Sequence, residues 1–184
     1  MTAFICLLRG VNVGGNKMVK MDALKALFGS LGLKDAKTYL QSGNVVFRCD
    51  DGDRALLVRR IEEGIRKKSG VDVKIILRTT SELRKVIAAN PLTVEPERNP
   101  KAFLVAFLGG ELTKEAKALL MKLKIASEEL HCGSRELYLY LPEGIATSKL
   151  SNALTERKLG TNVTARNWNT VNALLGMAEE MESR

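Results

Sequence analysis

The sequence predicts an α+β chain of two βαββαβ halves, each followed by an extra helix, and three observations predict it. Apolar runs of strand length alternate with stretches whose apolar residues recur at helical spacing. The same order of elements occurs twice. Three of the four prolines, Pro91, Pro96 and Pro100, crowd into PLTVEPERNP between the two occurrences. The expected halves are residues 1–90 and 101–184, with 91–100 as a Pro-rich linker.

In the first half, 3–9 is an apolar run ended by Gly10, which reads as a strand buried on both faces. Met21, Leu24, Leu27, Phe28 and Leu31 then share a helix face, and Gly32 suits its C-terminal stop. Strands expected over 37–41 and 44–48 flank Ser42-Gly43, a dipeptide that tolerates the positive φ of a hairpin turn. A helix carrying Leu57, Ile61 and Ile65 follows Asp53, and a fourth strand over 71–78 follows Gly70. Thr80 or Ser81 is expected to cap an extra helix over 82–89, stopped at Asn90-Pro91.

The second half repeats this order, with strands expected over 102–108, 126–131, 136–141 and 163–166. Helices are expected over 113–123 and 148–159, and a trailing one from Thr170 has Val171, Leu174, Leu175, Ala178 and Met181 on one face. Elements match between the halves, whereas residues do not. Each half fits the ferredoxin-like plait, two split βαβ units with helices on one sheet face. The other face cannot stay open, because AFLVAFL and LYLYL are apolar on both sides. It must be covered by the other half or by a trailing helix. Recognition of RNA bases by stacking on such a face is disfavoured, since only 5% of residues are aromatic and the third strand, NVVFR, lacks the pattern.

With 184 residues, 45% hydrophobic and 27% charged, the chain is long enough to bury a core. It has no run approaching the roughly 18 apolar residues of a membrane span, and the apolar stretch before Arg9 is too short for a signal peptide. A cytoplasmic protein with no membrane partner is expected. Cys6, Cys49 and Cys132 are odd in number and far apart, which argues for buried thiols rather than disulfides or a metal site. The net charge of +8 is uneven: residues 1–80 hold 15 Lys+Arg against 8 Asp+Glu, the remainder 14 against 13. That asymmetry points to an anionic partner for the first half. Some of these cations have carboxylates four residues away, as in Arg59/Glu63, Glu62/Arg66 and Glu63/Lys67.

The most distinctive stretch is LLRGVNVGGNKMVK, where a strand runs into glycines, asparagines and cations before a helix begins. Backbone N–H groups on such a turn, with Arg or Lys nearby, are suited to an anion. Arg9, Asn12, Gly14, Gly15, Asn16 and Lys17 are the candidate ligand-binding residues. In the plait the first two strands run parallel, so the hairpin residues Gln41, Ser42 and Asn44 come to the same sheet end. The competing reading gives the glycines to turn geometry and the asparagines to Asx-turns. The loop departs from the phosphate-binding GxxxxGK[ST] pattern: Asn16 intrudes between Gly15 and Lys17, and Met18 replaces the metal-binding hydroxyl. No dinucleotide fingerprint, nucleophile elbow or metal motif occurs, so no cofactor or metal is expected. His131 beside Cys132 has no partner motif.

A secondary group lies near the C-terminus, in TSKLSNALTERKLG and TARNWNTV: Ser148, Lys149, Arg157, Arg166, Asn167, Trp168 and Asn169. There Asn167 or Asn169 is expected to cap the last helix and Trp168 to be core.

LLRGVNVGGNKMVKMDAL, TYLQSGNVVF, SKLSNALTERKLG and RNWNTV together resemble an uncharacterised bacterial family, domain-of-unknown-function family 1697. The resemblance spans nearly the whole chain and implies a small cytoplasmic protein with paired ferredoxin-like halves. It brings no established reaction, cofactor or catalytic residue. Arg9, Asn12, Gly14, Gly15, Lys17, Gln41, Ser42, Gly43 and Asn44 match its N-terminal motifs; Ser148, Lys149, Arg157, Arg166, Asn167 and Trp168 match its C-terminal ones. The expected function is non-enzymatic binding of nucleic acid or a nucleotide-like phosphate at the Gly-rich loop and hairpin. One alternative is an enzyme acting on a small phosphorylated or carboxylated substrate at the same edge, with the loop donors as an oxyanion site. Another is an oligomeric interaction protein, a homo-oligomer among them.

Overall fold

The computed structural model describes residues 1–12, 18–50, 52–92, 98–123 and 127–183. The fold is α+β, with two four-stranded antiparallel sheets. The first is built from β1 (Thr2–Leu8), β2 (Lys34–Tyr39), β3 (Asn44–Cys49) and β4 (Ile75–Thr79) in the order β2-β3-β1-β4. The strand that is apolar on both faces occupies the interior, since only there are both faces covered. Phe4, Cys6 and Leu8 of β1 join one core cluster with residues of α1 (Met21–Ser30) and α2 (Arg54–Ser69), while Ala3, Ile5 and Leu7 are buried on the opposite side.

Local chemistry sets the helix ends. After α1, Gly32 takes φ +73, and the Leu33 and Gly32 N–H groups donate to Phe28 and Gly29 carbonyls, a Schellman stop. Asp53 caps α2 by accepting from the Leu56 N–H at 3.0 Å, and Gly70 ends it in the left-handed region. A third helix, α3 (Thr80–Ala88), begins with a capping box. Thr79 Oγ1 accepts from the Glu82 N–H, and a Glu82 carboxylate oxygen accepts from the Thr79 N–H. Thr79 thus takes the place expected of Thr80 or Ser81, because only Thr79 stands three residues before a glutamate.

The second sheet, β6-β7-β5-β8, comprises β5 (Phe103–Leu108), β6 (Glu129–Cys132), β7 (Glu136–Tyr140) and β8 (Val163–Asn167). The expected strand start at Ala126 lies outside the described residues, as do 93–97 of the expected linker. Helix α4 (Lys114–Lys122) is capped by Thr113. The helix expected over 148–159 is two: α5 (Lys149–Ala153) and α6 (Glu156–Leu159), separated where Thr155 is extended. Leu150 and Leu159 explain the break. Nine residues apart, they would face opposite sides of a continuous helix, yet both are buried in the same cluster. The last helix, α7 (Trp168–Glu182), begins before the expected Thr170 and is capped by Asn167, whose Oδ1 accepts from the Thr170 N–H at 2.8 Å.

The chain divides into two compact units, Met1–Arg84 with Ala173–Arg184, and Lys85–Asn172. These bounds differ from a division at 91–100, since the split falls inside α3 and inside α7. In the first unit Glu179 pairs with Arg84, Glu180 with Lys37, and Glu182 accepts from the Thr80 hydroxyl. In the second, the buried Tyr138 hydroxyl donates to the Val86 carbonyl at 2.8 Å. Burial, and then the Glu136 charge, push the Tyr138 phenol well above its ordinary range.

Strand register aligns the two repeats residue by residue. Leu7 faces Asn44 as Phe107 faces Glu136, and Ile5 faces Arg78 as Val105 faces Arg166. Both arginines are buried, and each donates to the carbonyl of the residue before it. Each is followed by the residue that caps the trailing helix, Thr79 or Asn167.

Candidate functional site

The end of β1 and the β2–β3 hairpin meet at one edge of the first unit. Leu8 N–H donates to the Gly43 carbonyl at 2.8 Å, and Arg9 N–H to the Lys74 carbonyl at 2.9 Å. Asn12, at φ +56, ties the edge together. Its Nδ2 donates to the carbonyls of Val19 (2.9 Å) and Gln41 (2.7 Å), and its Oδ1 accepts from the Val19 N–H (2.8 Å). One amide thereby joins the start of the loop, the approach to α1 and the hairpin tip.

The hairpin is held from within. Asn44 is fully buried, and its Nδ2 donates to the Tyr39 carbonyl and the Ser42 hydroxyl. Gly43 is required: it takes φ +74, and a Cβ there would lie 2.8 Å from Leu8 Cβ and also collide with Val11. Leu40 takes φ +57 with the residue 56% exposed, an arrangement that costs a leucine backbone energy without burying it.

Of the residues singled out at this edge, Asn12 and Asn44 therefore form its frame. Gln41 and Ser42 are exposed and Arg9 is half-buried. Gly14, Gly15, Asn16 and Lys17 lie outside the described residues.

The C-terminal group belongs to the other unit and separates into two places. Ser148 is buried and caps α5. Glu128 occupies that helix end, its carboxylate accepting from the Ser148 hydroxyl and the Lys149 and Leu150 N–H groups. An internal anion thus fills the position an external one would take. Lys149 and Arg157 are exposed. At the second place, Arg166 is buried, Asn167 caps α7, Asn169 is exposed, and the half-buried Trp168 gives its carbonyl to the Asn172 amide. Burial raises the Cys132 thiol, partly offset by Lys117, which opposes formation of a thiolate nucleophile. Among the described residues no group of three His, Cys, Asp or Glu is placed to hold a metal, and no helix is long and apolar enough to cross a membrane.

The family described as "Protein of unknown function (DUF1697)" matches residues 1–138, the whole of the first repeat and part of the second. The chain belongs to this family. Among solved structures, the conserved bacterial protein SP0830 from Streptococcus pneumoniae is similar over 97% of this chain and 99% of its own, with a TM-score of 0.73 and 24% identity. That likeness supports the fold. Comparison with curated proteins finds no significant match.

Within the DUF1697 chain the two repeats differ at this edge. The connection from β1 to α1 has 12 residues (9–20), whereas that from β5 to α4 has five (109–113). The first hairpin puts four residues, 40–43, between the paired Tyr39 and Asn44. In the second, Gly133 N–H donates to the Glu136 carbonyl around Ser134 and Arg135. There the Glu136 carboxylate accepts from both turn N–H groups, at 3.2 and 3.3 Å. Sequence reasoning missed Glu136 and Glu128 as internal anions, because neither lies in a motif.

Proposed function

We propose that the chain is a non-enzymatic binding protein for an anionic ligand, nucleic acid or a nucleotide-like phosphate, engaged at the β1–α1 loop and β2–β3 hairpin. Arg9 and Lys17 supply charge, Gln41 and Ser42 supply polar contacts, and Asn12 and Asn44 hold the rim in shape. The observation that carries this reading is the difference between the repeats. In the second, the hairpin N–H groups already receive a carboxylate from Glu136. In the first, the corresponding residue is the neutral Asn44, the hairpin segment LQSGN has no acid, and the surrounding half carries a net +7. Extra chain at one copy of a duplicated edge, kept despite backbone strain at Leu40, fits a binding role better than a structural one.

The test is a double substitution, Arg9→Ala with Lys17→Ala, assayed by anisotropy with labelled single-stranded RNA and double-stranded DNA and by thermal shift with nucleotides. The variant is expected to melt like the parent and to lose at least tenfold in affinity. Undiminished binding by a folded variant sinks the proposal.

A further inference from the structure

The groove between α1 and α2 has features that the rim reading does not use. It encloses about 210 Å³ and is floored by Val19, Leu24, Leu27 and Ile65, all of them buried. Its mouth carries Lys20 and Lys68, both exposed, and Met18, which is 67% exposed. Among the described residues no carboxylate lines it. The Ser69 hydroxyl at its end is already engaged, donating to the Ile65 carbonyl and accepting from the Val71 N–H. The floor is held in place, because the Asn12 amide clamps both backbone groups of Val19.

An apolar floor beneath two ammonium groups, with no acid among the described lining residues, selects for a ligand with a water-shunning body and an anionic head. The volume lies below the roughly 300–1,000 Å³ typical of pockets for drug-sized ligands, so the body is short. Methionine at the mouth adapts to a flexible chain. We infer that the α1–α2 groove is a binding site for a short aliphatic chain bearing a carboxylate or phosphate head, the tail lying on Leu24, Leu27 and Ile65 and the head between Lys20 and Lys68. The groove shares residues 18–20 with the β1–α1 connection but uses neither Arg9 nor the hairpin, so the inference does not rest on the rim reading.

The experiment is calorimetric titration of the full chain with butyrate, hexanoate and octanoate, and with octan-1-ol, at about 50 mM salt. Binding is expected to be saturable and to tighten about fourfold per methylene until the groove is full. Octan-1-ol should bind more weakly than octanoate. Lys20→Glu with Lys68→Glu, two changes at exposed positions, should lower octanoate affinity at least tenfold. Ala23→Phe, an exposed helix position at the mouth, should abolish binding with the melting temperature kept. Co-sedimentation with phosphatidylglycerol vesicles separates the sources of the ligand: capture competed by octanoate identifies a lipid, and no capture identifies a free acid. Equal affinity for octanoate and octan-1-ol, no dependence on chain length, or unchanged octanoate binding in the lysine-reversed variant overturns the inference. Arg9→Ala with Lys17→Ala should leave octanoate binding intact, which keeps this test distinct from that of the rim.

Discussion

The two repeats have the same strand order, a buried arginine at the same place and a helix-capping residue at the end of the last strand, yet their hairpin edges are finished differently. The second edge is short and neutralised from within: Glu136 serves the turn N–H groups and Thr161 takes the Gly110 N–H. The first is long, strained at Leu40 and bracketed by Asn12. The shared strand order holds the architecture constant, so the difference isolates what the plait does not need in order to fold. What the plait does not need is where a binding role is to be sought.

Substitutions at the paired hairpins test this contrast, and the largest effect is expected at Gly43. Gly43→Ala combines a positive φ with collisions against Leu8 and Val11, for an expected cost of about 2–4 kcal/mol in urea unfolding. The corresponding residue of the second hairpin is Arg135, and Arg135→Gly should cost less than about 1 kcal/mol. Equal costs at the two positions would remove the asymmetry.

Asn12→Ala comes next. It deletes three hydrogen bonds and leaves the Val19 N–H and the Gln41 carbonyl to find water, for an expected cost of about 1–3 kcal/mol. Faster amide exchange at Val19, with exchange in β5 and β7 unchanged, is the local signature. Protection at Val19 that survives the substitution would show that the bracket is not what holds the edge.

The smallest effect concerns the second compact unit. Tyr138→Phe removes the bond to the Val86 carbonyl and should cost about 1 kcal/mol near neutral pH. The phenol is raised in the fold, so above its ordinary value of 10.0 the unfolded chain loses a proton that the folded chain keeps. The stability that this difference contributes is complete below that pH and is lost as pH rises further. Unfolding titrations from pH 8 to 11 should show the parent falling more steeply than the variant, and parallel curves would contradict the assignment.

The sequence made the strands legible because β1 and β5 are apolar on both faces, and the helix limits legible at Asp53, Thr113 and Gly70. Two signals were present but read incompletely. The spacing Thr79-x-x-Glu82 selects Thr79 among three adjacent hydroxyls, and the nine-residue step from Leu150 to Leu159 would put two core leucines on opposite sides of one continuous helix. Other features left no local trace. Asn12 binds Gln41 through the backbone, so no side-chain pattern could reveal it. Glu128 reaches 148–150 across a gap of about 20 residues, and the tail of α7 joins the first unit through contacts that periodicity does not encode. The meeting of the β1 end with the hairpin followed from topology, whereas the framing roles of Asn12 and Asn44 show only in the folded chain.

The central claim is that the elaborated edge serves an anion, and the most direct measurement is the salt dependence of nucleic-acid binding by the intact protein. Anisotropy of labelled duplex DNA and of single-stranded RNA would be followed from about 50 to about 200 mM salt. With about six phosphates contacted, duplex affinity should fall on the order of a thousandfold across that range, and Arg9→Ala with Lys17→Ala should flatten the slope by about two contacts. Absence of binding at the lowest salt, together with no thermal shift from nucleotides or inorganic phosphate, would contradict the account.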